Sequence, residues 1–231
     1  MGLWATIAAA EMSGLDKFVC VVNGQPLGEL HLKMAECGID IRHSLEPLIP
    51  PVARNLGALG AKSEYLLFLD DHVLINKGVV RSIQEIDADI WHCAYKPFVA
   101  EAISYYGFTG IDSMVQGNYV RTPHSKLPHR IGSFTANCFA VKRKTWEALG
   151  GYWDTYQGFG GEEASFDLQA WAKGYEVWLD PTICVHHYSA RSSERGYLKD
   201  INQYNYDMAL DRLADDLPRL KAYFDTEGIP Y

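Results

Sequence analysis

An α/β fold, with a mostly parallel sheet covered by helices, is predicted for this chain of 231 residues. Strand-like and helix-like segments alternate through residues 3–69, which is the pattern of parallel strands joined by crossover helices. Residues 65–69 (YLLFL) are apolar without a break, as expected of a central strand that is buried on both faces. No stretch rich in Pro, Gly or Ser divides the chain, so we expect a single domain.

The hydrophobic periodicity assigns the elements in chain order. Helices are predicted at residues 3–15, 27–37, 52–62, 144–149 and 162–173, followed by a helical pair at 197–224 that is broken at Pro218. Strands are predicted at residues 17–22, 39–43, 65–69, 134–141, 176–179 and 183–187. Residues 96–132 have weak periodicity, so we expect long loops there with a strand or two. In a compact domain such a stretch is typical of a binding region.

Composition and charge exclude several classes of protein. Lys and Arg number 21 against 29 Asp and Glu, so the formal net charge is −8, which argues against a non-specific binder of nucleic acid or of an anionic membrane. No run approaches the roughly 18 consecutive apolar residues that a membrane span needs, so no membrane-spanning segment is predicted. The five cysteines are odd in number and contain no CxxC pair, which predicts reduced thiols in a cytoplasmic protein.

The first candidate site residues follow the YLLFL run, where ligands bind in sheets of this kind. They are Asp70, Asp71 and His72. Because side chains alternate along an extended chain, Asp70 and His72 point to one side and Asp71 to the other. An oxygen and an imidazole nitrogen that face one point can hold Mn²⁺ or Mg²⁺, with diphosphate oxygens as further ligands. The alternative is an ordinary strand end with capping and turn aspartates.

A second group opens the predicted helix at 162–173. Glycines at 158, 160 and 161 let the backbone approach a ligand closely, and Glu162 or Glu163 can act as general base for an acceptor hydroxyl. The alternative is that acidic residues stand in a first helical turn because they suit the helix dipole.

Two further features are candidates by position. His186 and His187 are neighbours on a predicted strand, so they point to opposite faces and one of them at most joins a given site. Arg54 lies on the helix ahead of YLLFL, where it can pair with a phosphate. A solvated helix arginine is the alternative for Arg54.

Together, these groups resemble the GT-A-fold glycosyltransferases. Residues 52–72 (VARNLGALGAKSEYLLFLDDH) look like the part of the family-2 enzymes that runs through the nucleotide-contacting helix into the metal motif. In those enzymes the metal motif is Asp-Asp or Asp-x-Asp, whereas Asp70-Asp71-His72 is closer to the Asp-x-His motif of the polypeptide N-acetylgalactosaminyltransferases. The later string GFGGEEASFDLQAWAKGYEVWLDPTICVHHY resembles the Gly-Gly-Glu segment of the same group.

This resemblance implies a metal-dependent hexosyl- or N-acetylhexosaminyltransferase that moves a sugar from a UDP-sugar to a hydroxyl acceptor. The acceptor would be a protein, a glycan or a modified nucleic acid. The resemblance also implies donor contacts by Asn23, Arg54, Asp70, Asp71 and Gly161. Glu162 or Glu163 would either deprotonate or position the acceptor.

The same resemblance implies that Asp70 and His72 bind Mn²⁺ (or Mg²⁺). The family's last metal ligand is a His six residues after a Pro, and from Pro181 that count ends on His187. Related sugar transferases with Gly-Glu-Glu and His-x-Tyr motifs would select His186 instead.

The resemblance divides the single domain, residues 1–231, into three parts. Residues 1–95 would be the nucleotide-binding half, residues 96–190 the acceptor and catalytic half, and residues 191–231 a C-terminal helical segment. The chain departs from the pattern at Gln169, where the families place Arg. It also starts directly in the first helix, so either residues 1–7 form a degenerate first strand or the sheet lacks a central strand.

Two other functions stay open on these residues. The departures favour a non-catalytic sugar-nucleotide or glycan-binding module with the same fold. A sugar transferase that modifies nucleic acid is favoured by a local basic run, although the net charge argues against it. The basic run consists of Arg121, His124, Lys126, His129 and Arg130.

Overall fold

The computed structural model describes residues 3–15, 17–97, 104–106, 108–109, 118–135, 137–158, 160–188 and 199–231. Its helices are α1 (Leu3–Met12), α2 (Glu29–Glu36), α3 (Pro50–Ala58), α4 (Gly78–Ile86), α5 (Arg143–Leu149), α6 (Glu162–Ala172), α7 (Lys199–Leu213) and α8 (Leu217–Glu227). Its strands are β1 (Val19–Asn23), β2 (Asp40–Ser44), β3 (Tyr65–Leu69), β4 (Val73–Leu74), β5 (Ile90–Pro97), β6 (Phe108–Thr109), β7 (Asn118–Tyr119), β8 (His129–Arg130), β9 (Cys138–Lys142) and β10 (Val177–His187). This mixture of helices and strands confirms the predicted α/β class.

A six-stranded sheet forms the centre of the fold, in the order β3-β9-β5-β10-β4, with β8 also paired to β10. β5 and β10 are parallel, whereas β9 lies antiparallel between β3 and β5. The sheet is therefore mixed rather than mostly parallel. The described residues between β5 and β9 contain no helix, and a strand that returns without a crossover helix pairs antiparallel to its neighbours.

β1 and β2 form a parallel pair whose hydrogen bonds are separate from those of the six-stranded sheet. Residues 3–7 belong to α1, so the expectation of a degenerate strand over residues 1–7 is wrong for them. Within the described ranges, no strand joins β1 to β3 by hydrogen bonds. The other alternative, a sheet without one central strand, is the one that agrees with these pairings.

Aromatic side chains pack α5 and α6 against the sheet. The Phe68 and Phe139 rings of β3 and β9 stack with centroids 4.8 Å apart, and Trp146 of α5 lies 4.7 Å from Phe68. Phe166 of α6 contacts both Phe139 and Trp146. Burying a ring of this size contributes about 2–3 kcal/mol. This packing holds the start of α6 beside the ends of the central strands.

The second half of the chain differs from the prediction at two strands. β9 begins at Cys138 rather than at Phe134 and ends at Lys142. Where two strands were predicted, β10 is a single strand with a bulge between Asp180 and Cys184. The bulge arises because Pro181 cannot donate to the hydrogen-bond ladder. α7 and α8 confirm the C-terminal helical pair, with Pro218 in the first turn of α8. Among the helices within the described ranges, none has the length and apolar character needed to cross a membrane.

The predicted acceptor-side stretch, residues 96–132, is described only in part. Its described residues include β6, β7 and β8, and β8 pairs antiparallel with the start of β10. Residues 98–103, 107 and 110–117 lie outside the described residues. The loop prediction therefore stays a prediction over those residues, whereas the described residues contain loops and short strands as expected.

Candidate functional site

Three predicted metal ligands, Asp70, His72 and His187, meet at one end of the six-stranded sheet. Asp70 directly follows β3, and the pairing of β4 with the end of β10 brings His72 beside His187, with ring centroids 4.7 Å apart. His187 Nε2 lies 3.5 Å from Asp70 Oδ2. One potential ligand atom from each of the three residues lies within 4.8 Å of the others. We call this group the Asp-His-His cluster.

The alternation along β10 separates the two histidines that the sequence left open. The His187 side chain is 10% exposed and lies in the Asp-His-His cluster, whereas His186 is exposed and pairs with Leu74 of β4. The structure therefore brings His187, and not His186, to Asp70.

Asp71 has two contacts that fix the chain next to the cluster. Its carboxylate meets Nδ1 of His72, and its backbone carbonyl accepts a hydrogen bond from the Thr6 hydroxyl of α1 at 2.9 Å. Its side chain is 72% exposed. A carboxylate bound to the second nitrogen of a ligand histidine orients the ring and sets its tautomer. The sequence suggested a donor contact for Asp71 and missed this contact to His72.

Arg54 connects the two motifs that the sequence identified separately. From α3, its guanidinium lies 3.3 Å from Asp70 Oδ1 and 3.9 Å from Glu162 Oε1. Burial lowers the pKa of Arg54, but Tyr152, Asp70 and Glu162 outweigh that and raise the pKa above its usual value. For Asp70, burial acts in the direction of a higher pKa, yet the hydrogen bond from His187 and the charge of Arg54 hold the pKa of this carboxyl below its usual range. Both groups are therefore charged at neutral pH.

Glu162 stands at the first position of α6 and is fully buried. Its Oε2 accepts a hydrogen bond from the Gly160 N–H at 2.7 Å, while its Oε1 is buried without a hydrogen-bond partner within the described residues. Burial raises the pKa of this carboxyl, against the opposing charge of Arg54. A buried carboxyl with one unused oxygen is a suitable partner for a ligand hydroxyl.

Glu163 is partly buried next to Glu162. Burial, together with the charge of Glu162, raises the pKa of Glu163 to about 8. Glu163 is therefore mainly protonated at neutral pH, whereas Glu162 is the member of the pair that contacts Arg54.

Gly161 caps α6 with φ +85°, a conformation that side chains rarely adopt. A Cβ at this position would lie 3.4 Å from Asn205 and Tyr206 of α7. Asn205 is buried, and its amide binds the backbone carbonyls of Gln157 and Gly160, each at 2.8 Å. α7 therefore holds the glycine loop in place. Helical periodicity alone does not identify the partner of a helix, so the sequence did not reveal this contact.

Asn23 lies at the end of β1 and is not brought to the Asp-His-His cluster by any hydrogen bond described for it. Its side-chain amide donates to the Leu48 carbonyl at 2.7 Å and accepts from the Leu48 N–H at 2.5 Å. Asn23 therefore holds the connection that leads into α3. A contact between Asn23 and uracil stays a prediction.

The two sequence features that favoured other functions have structural partners. Gln169, at the position where the families carry Arg, is buried and donates to the Leu149 carbonyl at 3.2 Å. Arg130, from the basic run, pairs with Glu176 and Glu227 at 3.3 and 2.9 Å. Both residues therefore have clear roles in joining elements of the fold.

Comparisons with known proteins agree with this geometry. No family model matches the chain. The chain is 28% identical over 150 residues to N-acetylgalactosaminyltransferase 6 of Drosophila melanogaster, over 58% of this chain and 22% of that protein. It is similar to the crystal structure of GalNAc-T7 with UDP, GalNAc and Mn²⁺, with a TM-score of 0.72 and 16% identity over 91% of this chain and 46% of that one.

It is also similar to the structure of S. aureus TarS in complex with UDP-GlcNAc, with a TM-score of 0.59 and 11% identity over 85% of this chain and 58% of that one. The chain spans less than two thirds of the length of each of these relatives. These likenesses confirm the GT-A glycosyltransferase fold that the resemblance implied.

Proposed function

We propose that this GT-A domain transfers a sugar from a UDP-sugar to a hydroxyl acceptor, with a divalent metal at the Asp-His-His cluster. The observation that carries the proposal is the connection of two motifs through Arg54, which contacts both Asp70 and Glu162. In α/β folds ligands bind beyond the strand ends, and this connection lies there. The neighbours GalNAc-T7, solved with UDP and GalNAc, and TarS, solved with UDP-GlcNAc, support a UDP-sugar as donor.

The cluster fits a divalent transition metal. Asp70 offers a carboxylate whose pKa is lowered, and His72 and His187 offer imidazoles, a donor set that suits Mn²⁺ better than Mg²⁺ or Ca²⁺. The GalNAc-T7 structure contains Mn²⁺, which supports the same choice. When bound, Mn²⁺ would neutralise charge that develops on the departing diphosphate. Asp71 would keep the His72 ring oriented toward the metal.

In the transfer step, a bond forms between the acceptor oxygen and the sugar carbon as that carbon's bond to the diphosphate oxygen breaks. The bonding electrons leave with UDP. The acceptor proton passes to Glu162 if the configuration inverts, or to the leaving phosphate oxygen if it is retained, in which case Glu162 positions the acceptor. Burial raises the pKa of Glu162 and the charge of Arg54 opposes that rise. Because Glu162 rather than Glu163 contacts Arg54, Glu162 is the residue that we assign to this role.

Metal-dependent binding of UDP tests the proposal. Isothermal calorimetry with UDP and Mn²⁺ should show binding that weakens at least about tenfold, or about 1.4 kcal/mol, after EDTA. His187→Ala should have the same effect as EDTA, whereas His186→Ala, a change at the neighbouring exposed position of β10, should leave UDP affinity unchanged. UDP affinity that is unaffected by EDTA would reject the metal site.

Transfer is tested by the release of UDP from UDP-GalNAc or UDP-GlcNAc, with and without candidate acceptors. Protein, glycan and modified nucleic acid remain the predicted acceptor classes, and panels of each would separate them. Tight UDP-sugar binding without release of UDP in any panel would favour the non-catalytic binding module instead. The cytoplasmic location also stays a prediction, which cell fractionation would check.

A further inference from the structure

Three side-chain oxygens just ahead of β9 are buried without a hydrogen-bond partner within the described residues. They are Ser133 Oγ, Thr135 Oγ1 and Asn137 Oδ1, and Thr135 and Asn137 are each only 7% exposed. Buried polar atoms in folded proteins nearly always have a partner, because desolvation without one costs free energy. Three such atoms within five residues of sequence therefore indicate a partner that binds from outside the chain.

Contacts of Asn137 and Phe134 connect this part of the chain to the Asp-His-His cluster. The carbonyl of Asn137 accepts the Asp70 N–H at 3.1 Å, as the pairing of Leu69 with Cys138 requires. The Phe134 ring lies 5.9 Å from the Tyr95 ring, which in turn lies 5.8 Å from His187. Phe134 is thus linked through Tyr95 to His187, and Asn137 is linked to Asp70.

Phe134 and β9, on the two sides of Thr135 and Asn137, are well packed. The Phe134 N–H donates to Asp167 Oδ2 at 2.8 Å, and its ring is 1% exposed in the core. The neighbouring strand β9 is almost fully buried. Thr135 and Asn137 therefore lie between a core residue and a central strand.

The chemistry of these groups suits a neutral, hydroxyl-rich ligand. A hydroxyl and a side-chain amide both donate and accept hydrogen bonds, as sugar hydroxyls do. Neither group carries the positive charge that would bind phosphate. A further buried oxygen without a hydrogen bond, Glu162 Oε1, is linked to Asp70 through Arg54. The oxygens around the cluster thus match the sugar of a sugar nucleotide rather than its diphosphate.

We propose that Thr135 and Asn137 bind hydroxyl groups of the donor sugar and so determine which UDP-sugar the protein accepts. This inference rests on the proposed function. A site whose buried polar groups pair with a ligand hydroxyl discriminates strongly against a ligand that lacks it, because the protein groups are then left without partners. Thr135 and Asn137 are therefore specificity-determining residues of the donor site.

Two substitutions remove these groups. Thr135→Val replaces the hydroxyl by a methyl group. Asn137→Ala removes the amide. Among the described residues other than glycine, Asp87 has a positive φ and Asn137 does not, so the backbone of Asn137 tolerates alanine. Thr145→Val is the matched control. Thr145 lies on α5 and is also fully buried, but its hydroxyl donates to Asp89 Oδ1 at 3.3 Å and so already has a partner within the chain.

Calorimetry in Mn²⁺ with UDP, UDP-GalNAc and UDP-GlcNAc provides the test. The wild-type protein should bind one of the two sugar nucleotides more tightly than UDP. Thr135→Val and Asn137→Ala should each weaken binding of that sugar nucleotide about tenfold while UDP affinity stays the same. Thr145→Val should change neither affinity.

The outcomes separate this inference from the proposed function. Binding of neither UDP nor a UDP-sugar by the wild-type protein rejects both. Wild-type affinity of both variants for the sugar nucleotide rejects only the role of Thr135 and Asn137. An equal loss of affinity for UDP and for the sugar nucleotide also rejects that role, because it shows a general disturbance of the site.

Discussion

Two aspartate–histidine pairs in this molecule have the same chemistry but different surroundings. In the Asp-His-His cluster, Asp70 and His187 lie 3.5 Å apart, with side chains 30% and 10% exposed. Inside the core, His92 Nε2 lies 3.2 Å from Asp167, and both side chains are 2% exposed. The first pair lies at the strand ends, and the second lies beneath the middle of the sheet, between β5 and α6.

The difference lies in what else each aspartate contacts. Asp167 binds the Phe134 N–H, and its partner His92 packs against the rings of Phe134 and Phe139. The core pair thus joins α6, β5 and the segment before β9. Asp70 instead faces Arg54 and a second histidine. The same two residue types therefore stabilise the fold when enclosed, and form a candidate metal site when placed at strand ends with further charged groups.

We call Asp70–His187 the open pair and His92–Asp167 the enclosed pair. The largest effect is expected at Glu162, which is linked to the open pair through Arg54. Glu162→Gln should lower turnover about 10²–10⁴-fold while UDP-sugar affinity changes little, because the amide keeps the contact to Gly160 but cannot take a proton. Steady-state kinetics and calorimetry on the same preparation would measure both. Wild-type turnover in Glu162→Gln, with loss of turnover in Glu163→Gln, would assign the role to Glu163.

The next effect concerns the enclosed pair. Asp167→Asn should lower the free energy of unfolding by about 2–3 kcal/mol, because it removes the buried carboxylate that accepts the Phe134 N–H and faces His92. The protein that remains folded should bind UDP with wild-type affinity. Urea unfolding and calorimetry provide the two measurements. If Asp167→Asn instead left stability unchanged and removed UDP binding, the structural role of this pair would be wrong.

The matching change in the open pair should have the opposite profile. Asp70→Asn should weaken UDP binding in Mn²⁺ about tenfold, or about 1.4 kcal/mol, and should lower the unfolding free energy by less than Asp167→Asn does. The partly exposed side chain of Asp70 accounts for the smaller cost. Equal losses of stability in the two variants would remove the distinction between the pairs.

The smallest effect is a pH dependence of stability at Glu163. The folded protein keeps the Glu163 proton up to a pKa of about 8, whereas the unfolded chain loses it near 4.5. The folded state therefore binds more protons between these values, and Glu163 makes the free energy of unfolding fall as pH rises from about 5 to 8. Its stabilising contribution is complete below the lower value and is lost above the upper one.

Glu163→Gln removes this proton and should reduce the fall. We expect a smaller fall of Tm between pH 5.5 and 8.5 in Glu163→Gln than in the wild-type protein. Thermal unfolding of both proteins at pH 5.5 and 8.5 measures it. Parallel curves for the two proteins would contradict the raised pKa.

Local patterns in the sequence predicted most elements and the main site residues. The apolar run that ends at Leu69 predicted β3, and its position predicted a site at Asp70 and His72, because strand ends are where side chains leave the sheet. Two-residue alternation showed that His186 and His187 cannot share one face. The glycines before Glu162 predicted the start of α6. Each of these inferences depends only on residues close together in the chain.

The tertiary structure alone decided which distant groups meet. The contacts of Arg54 with Glu162 and of Asn205 with the glycine loop join residues far apart in sequence, and no local period encodes them. The antiparallel insertion of β9 and the separation of β1 and β2 from the main sheet were likewise invisible, since strand order depends on which edges pair. No sequence motif identified His92 and Asp167 as a pair, because the two residues meet only through the packing of the core.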